Sequence, residues 1–493
     1  MAATLALSGC GGEKKKTSDG HPTTTPAPSS QPATPGKQSV PLSLADGKAR
    51  LELKGLSRTT ATTVTGRFAV VNEGNTSVQL KGVLGDLVND ADAGYVLSLS
   101  GMGLLDAKNE KLYMPFHKGY KCLCSEVPSE IAPGATEEMF AVFPAPPADV
   151  QRVTLTSPGA PPFLNVPIGT GPVQPVPGQT EDASTPPSGK PRILPVLVTA
   201  TGTEQGVDDK EGQRAINLQS DVLFAVNKAE LTPRADGLLR QVAQQIDASR
   251  GTAVKVDGHA DNTGNDAINQ PLSERRAQTV AQRLKGLVTR QGVAFQAAGH
   301  GSSRPIADNG SDEGRRRNRR VTVTFPKPPE PAPAPGSASG RQPADFAPTT
   351  AVGSGEIAYS DGLRYEINGI HRTGDGLLLL VWTIRNAGTT VHNSINFDRS
   401  YVMYGTSAAW TGASTRGVML EDPAAKMRYW PLETPVGHCE CSLFVSSMRS
   451  TLRPGESVTA WNLYKAPADI STFDVSIPSD TRLGAVARGI RVQ

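Results

Sequence analysis

The sequence predicts a multidomain protein in which a central α/β (α+β) domain of βαβαββ type lies between two all-β sandwiches. Three observations support this fold class. Proline-rich segments divide the 493 residues into three parts, a number that the chain length also suggests. The two outer parts share a series of short sequence matches in the same order. In the middle part, strand patterns alternate with helix patterns, as they do in an α/β layer.

The predicted boundaries follow the proline-rich segments, which we expect to be extended, semi-rigid spacers. A short leader and a Pro/Thr/Ser stalk come first, and linkers then separate the three folded parts. The predicted ranges are 1–10 for the leader, 11–41 for the stalk, 42–166 for the first sandwich, 167–195 for the first linker, 196–325 for the α/β domain, 326–348 for the second linker and 349–493 for the second sandwich.

Composition and motifs exclude several classes of function. The formal net charge is only +3, so no strongly basic surface indicates nucleic acid as a partner. The longest apolar run, LLLLVW at 377–382, has the length of a strand and is too short for a membrane-spanning helix. No H-E-x-x-H, nucleophile elbow, P-loop or dinucleotide fingerprint is present. We therefore expect a binding protein that needs no cofactor or metal, and not an enzyme.

The N-terminal segment has the character of an export signal. MAATLALSGC ends in Leu7-Ser8-Gly9-Cys10, which resembles a bacterial lipobox, the site at which a cysteine is lipidated. The segment before the cysteine is shorter than a working signal peptide, so we expect the true translation start further upstream. The resemblance implies a lipoprotein whose Cys10 carries acyl chains such as palmitate. Such chains would hold the protein on the outer side of a bacterial membrane.

The two outer parts read as copies of one β unit. RFAVVNEGNT at 67–76 matches VWTIRNAGTT at 381–390, and KLYMP and MRYWP follow in the same order. Each copy continues with a C-x-C pair, a Pro-Gly turn and an alternating strand pattern. Short strands between turn residues predict an antiparallel sandwich. On this general pattern, each unit resembles the Ig-like modules of secreted bacterial lipoproteins.

The four cysteines of the outer parts form two pairs of equal spacing, Cys122-Leu-Cys124 and Cys439-Glu-Cys441. An oxidising exterior makes disulfides the default, and four cysteines permit three pairings. The repeat favours a local disulfide in each copy, because each copy then closes itself. A soft-metal or redox site is the alternative reading. In that reading the duplicated sandwiches would be a sensing or protein-interaction module, and the middle domain would serve only as its anchor.

The middle part combines strands with amphipathic helices. INLQSDVLFAVN at 216–227 and AVKVDGHA at 253–260 are predicted strands. The helix between them is predicted to have Thr232 as its N-cap and Pro233 as its first residue. A second helix is predicted to begin at Ser273, and VAFQAAG and RVTVTF complete the pattern as strands. This alternation predicts one α/β layer.

Four strings in the middle part carry a family resemblance, namely SDVLFAVNKAEL, GHADNTG, NQPLSERRAQTVAQRL and NRRVTVTF. With them, residues 216–325 resemble the OmpA-like C-terminal domain, which binds peptidoglycan without covalent attachment. In that family an aspartate and an arginine hold the diaminopimelic acid of the peptide stem. The matching positions here are Asp261 and Arg276. The chain departs from many members at Ala225, where they carry an acidic residue, and this weakens the expected secondary contacts.

The resemblance implies a clamp for a zwitterion. Diaminopimelate presents a free ammonium and a free carboxylate on one stereocentre, and Asp261 and Arg276 match them with opposite charges. A helix starting at Ser273 would place Arg276 in its first turn, where free backbone N–H groups also attract an anion. Asn269 is expected to add a neutral hydrogen bond, and Arg319 to complete the anion pocket. On spacing alone, Asp261 and Arg276 read as an exposed ion pair.

Together these readings predict an exported cell-envelope lipoprotein that binds peptidoglycan non-covalently and tethers a membrane to the cell wall. Its expected partners are peptidoglycan, the membrane through the lipid anchor, and proteins that contact the Ig-like units.

Overall fold

The structure, a computed structural model, describes residues 38–43, 48–86, 97–118, 121–174, 176, 190–329, 350–357, 362–392, 397, 413–444, 451–479 and 482–493. These residues form mostly strands, together with four helices. No helix among them is both long enough and apolar enough to span a membrane. Cys10 and the stalk as far as residue 37 lie outside the described residues, so lipidation stays a prediction.

The first β unit consists of two main sheets that share one apolar core. The first sheet has the order β1-β2-β3-β9 with β12 on β2, and the second has the order β11-β10-β5-β6-β13 with β7 on β6. Phe68, Phe143 and Phe163 are among the fully buried side chains between them. The strands are β1 Gln38–Pro41, β2 Ala49–Arg58, β3 Thr63–Asn72, β4 Val78–Gln79, β5 Gly103–Asp106, β6 Lys111–Lys118, β7 Lys121–Cys122, β8 Glu130–Ile131, β9 Thr136–Pro144, β10 Arg152–Ser157, β11 Ala160–Pro167, β12 Gly169–Thr170 and β13 Lys190–Pro195.

The first predicted linker contributes strands at both of its ends. Gly169–Thr170 pairs with β2, and Lys190–Pro195 pairs with β6. Its described residues are therefore part of the sheets of the first unit rather than a free spacer. The proline-rich composition concealed this, because proline is tolerated in strands that lie at a sheet edge.

The middle part forms an α/β layer. Its elements are β14 Val198–Gly202, β15 Gln205–Lys210, β16 Gln213–Gln219, α1 Ser220–Leu223, α2 Pro233–Ala248, β17 Ala253–Gly258, α3 Asp266–Leu287, β18 Ala294–Gly299, α4 Asp312–Asn318 and β19 Arg320–Pro326. Thr232 caps α2 and Pro233 is its first residue, as predicted. The predicted strand at 216–227 is wrong beyond Gln219, because Ser220–Leu223 is a short helix.

The second β unit repeats the arrangement of the first. Its strands are β20 Gly353–Glu356, β21 Leu363–Arg372, β22 Leu378–Asn386, β23 Ala413–Ser414, β24 Met419–Asp422, β25 Met427–Tyr429, β26 Leu443–Phe444, β27 Ser457–Tyr464, β28 Thr472–Ser479 and β29 Arg482–Arg491. One sheet has the order β20-β21-β22-β27. Trp382, Phe444, Tyr464 and Phe473 lie in its core.

One pair of asparagines makes the same contacts in the two β units. Asn72 ends β3 and Asn386 ends β22, at matching places of the two repeats. The side-chain amide of Asn72 donates to the carbonyl of Thr76 at 2.8 Å, and that of Asn386 donates to Thr390 at 2.7 Å. Each carboxamide oxygen also accepts the backbone N–H of the glycine two residues on. Whether each unit is an Ig-like sandwich stays a prediction.

A single ten-stranded sheet crosses from the α/β layer into the second β unit. Its order is β18-β17-β19-β16-β15-β14-β25-β24-β28-β29. The hairpin β14–β15 makes the connection, since β14 pairs with β25 along Ala200–Gly202. The α/β layer is therefore hydrogen-bonded to its neighbour, and not only joined to it through the chain.

The apolar run at 377–382 serves two cores at once. Alternate residues of a strand point to opposite faces. Leu380 and Trp382 lie in the core of the second unit, whereas Leu379 and Val381 belong to a separate apolar cluster that also contains Leu112 of the first unit. A strand buried on both faces has a continuous apolar sequence, which explains the run. The two β units are thus packed against each other.

A buried cluster of charges lies where the three parts meet. Oε1 of Glu110, in the first unit, accepts a hydrogen bond from Nζ of Lys465 in the second unit at 3.1 Å. It also pairs with Lys327, which follows β19 and lies 3.3 Å from Asp209 of β15. All four side chains are at most 10% exposed. We call these four residues the junction cluster.

We predict that Glu110→Gln lowers the free energy of unfolding by about 3 kcal/mol or more, because two buried ammonium groups lose a shared carboxylate. Urea unfolding followed by circular dichroism measures the change. Asp149→Asn is the matched control, since it removes a carboxylate from the exposed pair with Lys108 and should leave stability unchanged. Equal stability of Glu110→Gln and the wild type would contradict a stabilising role for the junction cluster.

Candidate functional site

The candidate site lies where β17 and β18 end and α3 passes them. Gly258 ends β17 and Gly299 ends β18. A Cβ at Gly258 would overlap the carbonyl oxygen of Ser273, and one at Gly299 would overlap the backbone nitrogen of Glu274. Glycine at both strand ends therefore lets α3 approach closely, and it fixes the position of the helix that carries Arg276.

Asp261 follows β17 and is 4% exposed. One carboxylate oxygen accepts hydrogen bonds from the backbone N–H of Thr263 at 2.9 Å and from its hydroxyl at 2.5 Å. The other oxygen accepts one from Nη1 of Arg319 at 2.6 Å. Burial favours the neutral acid, but the bonds from Thr263 and Arg319 outweigh it and lower the pKa of Asp261. The carboxylate is therefore charged at neutral pH.

Arg319 joins two carboxylates. Its guanidinium donates to Asp221 from Nε at 3.1 Å and from Nη2 at 2.6 Å, in addition to its bond to Asp261. The hydrogen bond to Asp221 raises the pKa of Arg319 above its ordinary value. The preceding Asn318 is fully buried and accepts the backbone N–H of Ile306 at 2.8 Å, so the chain is held in place at this point.

Arg276 is a mostly buried cation. It is 8% exposed, its Nε donates to the carbonyl of Lys228 at 2.9 Å, and its guanidinium lies 5.1 Å from the centre of the Phe224 ring. Burial lowers the pKa of Arg276. The negative charge of Asp221 raises it in part, and the positive charge of Arg319 lowers it further. In the part of the chain that the structure describes, no carboxylate lies within 4.0 Å of Arg276.

Asp221, Asp261, Arg276 and Arg319 thus form one charged cluster, which we call the clamp. Arg319 bonds to both acids, and Asp221 and Arg319 both act on Arg276. The clamp contains two acids and two bases, so its own charges balance. It offers opposite charges side by side, as recognition of a zwitterion requires.

Asn269 supports the loop of the clamp. Its side-chain amide donates to the carbonyl of Thr263 at 2.8 Å, and Thr263 in turn donates to Asp261. A direct contact between Asn269 and a ligand stays a prediction. In the structure the residue holds the loop that carries the acid.

The predicted start of the second helix is wrong. α3 begins at Asp266, with Asn265 as its N-cap, and the cap oxygen accepts the backbone N–H of Ile268 at 3.2 Å. Ser273, the predicted start, lies inside the helix, as does Pro271. Arg276 is therefore in the third turn, so free N–H groups of a helix end do not contribute to its anion site.

Sequence reasoning missed Asp221 and Phe224 as members of the site. Both lie in the string SDVLFAVN, which was first read as one strand. A strand places every second residue on one face, so it gave no reason to direct Asp221 towards the loop after β17. The helical turn at Ser220–Leu223 changes that direction.

His259 packs beside the clamp and is uncharged. It is buried and its ring stacks on that of His300, with centroids 5.1 Å apart. Burial, with a smaller contribution from Arg320, lowers the pKa of His259 to about 3. The imidazole is therefore neutral beside the clamp at physiological pH.

The C-x-C pairs are closed locally and differ in their surroundings. Disulfides join Cys122 to Cys124 and Cys439 to Cys441, each with a Cα–Cα distance of 5.2 Å. The first pair is half-buried, whereas Cys441 and the intervening Glu440 are buried. Burial raises the pKa of Glu440 to about 7. Among the described residues, no group of three or more side chains is arranged to hold a metal ion.

Comparison with known proteins places the middle part of the chain in a family. The model described as the OmpA family matches residues 223–319. Outer membrane porin F of Pseudomonas aeruginosa is 39% identical over 106 residues, 22% of this chain and 30% of the porin. The outer-membrane lipoprotein YfiB of the same organism is 37% identical over 120 residues, 24% of this chain and 70% of YfiB. The peptidoglycan-binding protein ArfA of Mycobacterium tuberculosis is 40% identical over 114 residues, 22% of this chain and 34% of ArfA.

The middle part is thus an α/β layer that keeps paired acids and arginines beside its strand ends. The chain belongs to the OmpA family, through the domain at residues 223–319. It spans about a third of the length of porin F and ArfA, at 30% and 34%.

Proposed function

We propose that this protein binds peptidoglycan non-covalently, through the diaminopimelate of the stem peptide, and so ties a membrane to the cell wall. The observation that carries the proposal is the state of Arg276. Its guanidinium is 8% exposed and, within the described residues, has no carboxylate within 4.0 Å. A buried cation without an ionic partner is costly, and an anion supplied by a ligand removes that cost.

The clamp suits a zwitterionic amino acid. The ligand carboxylate pairs with the planar fork of Arg276, which can donate two parallel hydrogen bonds. The ligand ammonium pairs with Asp261, whose carboxylate oxygens retain acceptor capacity beyond the three bonds they already accept. Arg319 lies between the two acids and stabilises the negative end of the ligand. The clamp has no net charge and a zwitterionic ligand has none either, so the net charge of the site stays zero when the ligand binds.

The comparisons support this choice of ligand. ArfA is named for peptidoglycan binding and is 40% identical over the matched region. The region that the OmpA family model covers, 223–319, contains Asp261, Asn269, Arg276 and Arg319. The proposed role is recognition rather than catalysis, so the protein would not be an enzyme.

The whole chain, in this proposal, is a tether with two attachments at the cell envelope. Acyl chains on Cys10 hold one end to the outer side of a membrane, and the OmpA domain holds the wall. YfiB, a relative, is an outer-membrane lipoprotein. A single clamp binds modestly, but the wall repeats its ligand many times and the effective concentration is high. The two β units, proposed to be Ig-like, space the domain from the membrane and offer surfaces for protein partners.

Lipidation of Cys10 predicts metabolic labelling. Cells expressing the protein from its native start should incorporate labelled palmitate, and the protein should fractionate with membranes. Cys10→Ser should abolish both the labelling and the membrane fractionation. The double substitution Cys122→Ser with Cys124→Ser, which removes the two cysteines of the first β unit, should abolish neither. Labelling that persists in Cys10→Ser would argue against the anchor.

Retention on purified diaminopimelate-type cell wall tests the clamp. We predict that Asp261→Asn and Arg276→Lys each weaken binding by about 2 kcal/mol or more, the cost of losing one member of a buried charge contact. That corresponds to roughly thirtyfold in affinity. Arg276→Lys keeps the charge and loses the fork, so it tests geometry. Co-sedimentation across a range of protein concentrations measures the change.

Two controls make this experiment decisive. Arg240→Gln removes a cation from the exposed i,i+4 pair with Asp236 on α2, and it should bind the wall like the wild type. Circular dichroism must show that each clamp variant keeps its fold, because Asp261 also holds Arg319. Wild-type retention of folded Asp261→Asn and Arg276→Lys would refute the proposed site.

A further inference from the structure

A groove lies between α3 and the segment that precedes α2. Its volume is about 770 Å³, within the range of roughly 300–1,000 Å³ typical of ligand sites. One wall is the turn at residues 229–231, which precedes α2. The other is formed by α3, with Arg275, Gln278, Thr279, Gln282, Arg283 and Gly286.

The helix wall of the groove is one continuous stripe. Each of its six positions has another member three or four residues away, and such residues share one face of a helix. The stripe offers guanidinium, carboxamide and hydroxyl groups and no large apolar side chain. Arg283 is tied to Asp236 at 2.7 Å. Arg275 is exposed and, in the described part of the chain, forms no ion pair. The opposite wall contributes Glu230 and Leu231. The groove therefore suits an amide-rich chain whose carboxylate lies at Arg275, away from Glu230.

The groove begins where the clamp ends. The carbonyl of Lys228 accepts the Nε hydrogen of Arg276, and the next residue, Ala229, lines the groove. On the helix, Arg275 of the groove precedes Arg276 of the clamp. The segment that forms one wall of the groove therefore contacts the side chain of Arg276.

At its far end the groove is open. A Cβ at Gly286 would meet no atom within 4 Å, so the helix glycine leaves space that a side chain would fill without clashing. The same glycine weakens an exposed helix by about 1 kcal/mol relative to alanine. A larger residue at this position therefore offers a way to block the groove without loss of the fold.

We propose that this groove binds the stem-peptide segment that joins the clamped diaminopimelate to the glycan strand. Its chemical class is a short peptide with free amides and one free carboxylate. Arg275 pairs with the carboxylate, while Gln278 and Gln282 bond to the amides. This inference rests on the proposed function and deepens it, because the protein would then recognise the stem peptide beyond diaminopimelate.

Calorimetric titration of the intact protein with two probes tests the groove. One probe is free meso-diaminopimelate, and the other is an N-acetylmuramyl tripeptide that ends in diaminopimelate. Arg275→Gln should weaken binding of the tripeptide probe by about three- to fivefold, as for an exposed charge contact, and leave diaminopimelate binding unchanged. Lys285→Gln, an exposed α3 cation outside the groove, should change neither.

Gly286→Phe provides a steric version of the same test. It should weaken only the tripeptide probe, because its ring fills the groove and leaves the clamp untouched. If the tripeptide binds Arg275→Gln and Gly286→Phe as tightly as the wild type, the groove proposal is overturned while the clamp stands. If neither probe binds the wild type, the clamp and the groove proposal both fail.

Discussion

The bond between Arg319 and Asp261 is the contact on which the candidate site depends. Together with the hydrogen bonds from Thr263, it keeps a nearly buried carboxylate charged. The second bond of Arg319, to Asp221, brings the helical turn after β16 into the same cluster. That turn carries Phe224 and Lys228, which hold Arg276. One arginine thus sets the positions of three other charged groups. A site organised this way exists before the ligand arrives, so little ordering has to accompany binding.

The surrounding architecture gives this site a fixed frame. Hydrogen bonds between β14 and β25 continue the sheet of the OmpA domain into the second β unit. Apolar packing of Leu112, Leu379 and Trp461 joins the two β units, and the junction cluster ties all three parts together. The OmpA domain is therefore joined to both β units by paired strands and buried contacts, in addition to the chain itself.

Sequence reasoning recovered the presence of an OmpA domain and, within it, the helix capped by Thr232. These follow from local periodicity, turn residues and matched strings. It failed at Asp221 and at the start of α3, because a one-turn helix and an asparagine cap depend on a few atoms that periodicity does not report. It also read the residues near Pro195 as a spacer. Lys190–Pro195 pairs with β6, and this is a long-range contact that local composition does not encode.

The central claim is that the clamp recognises both charges of one amino acid. Calorimetric titration with two stem tripeptides, one ending in meso-diaminopimelate and one ending in lysine, tests this directly. The lysine peptide keeps the side-chain ammonium and lacks the neighbouring carboxylate. The account predicts that it binds at least about thirtyfold more weakly, since Arg276 loses its anion. Equal affinity for the two peptides would contradict the account.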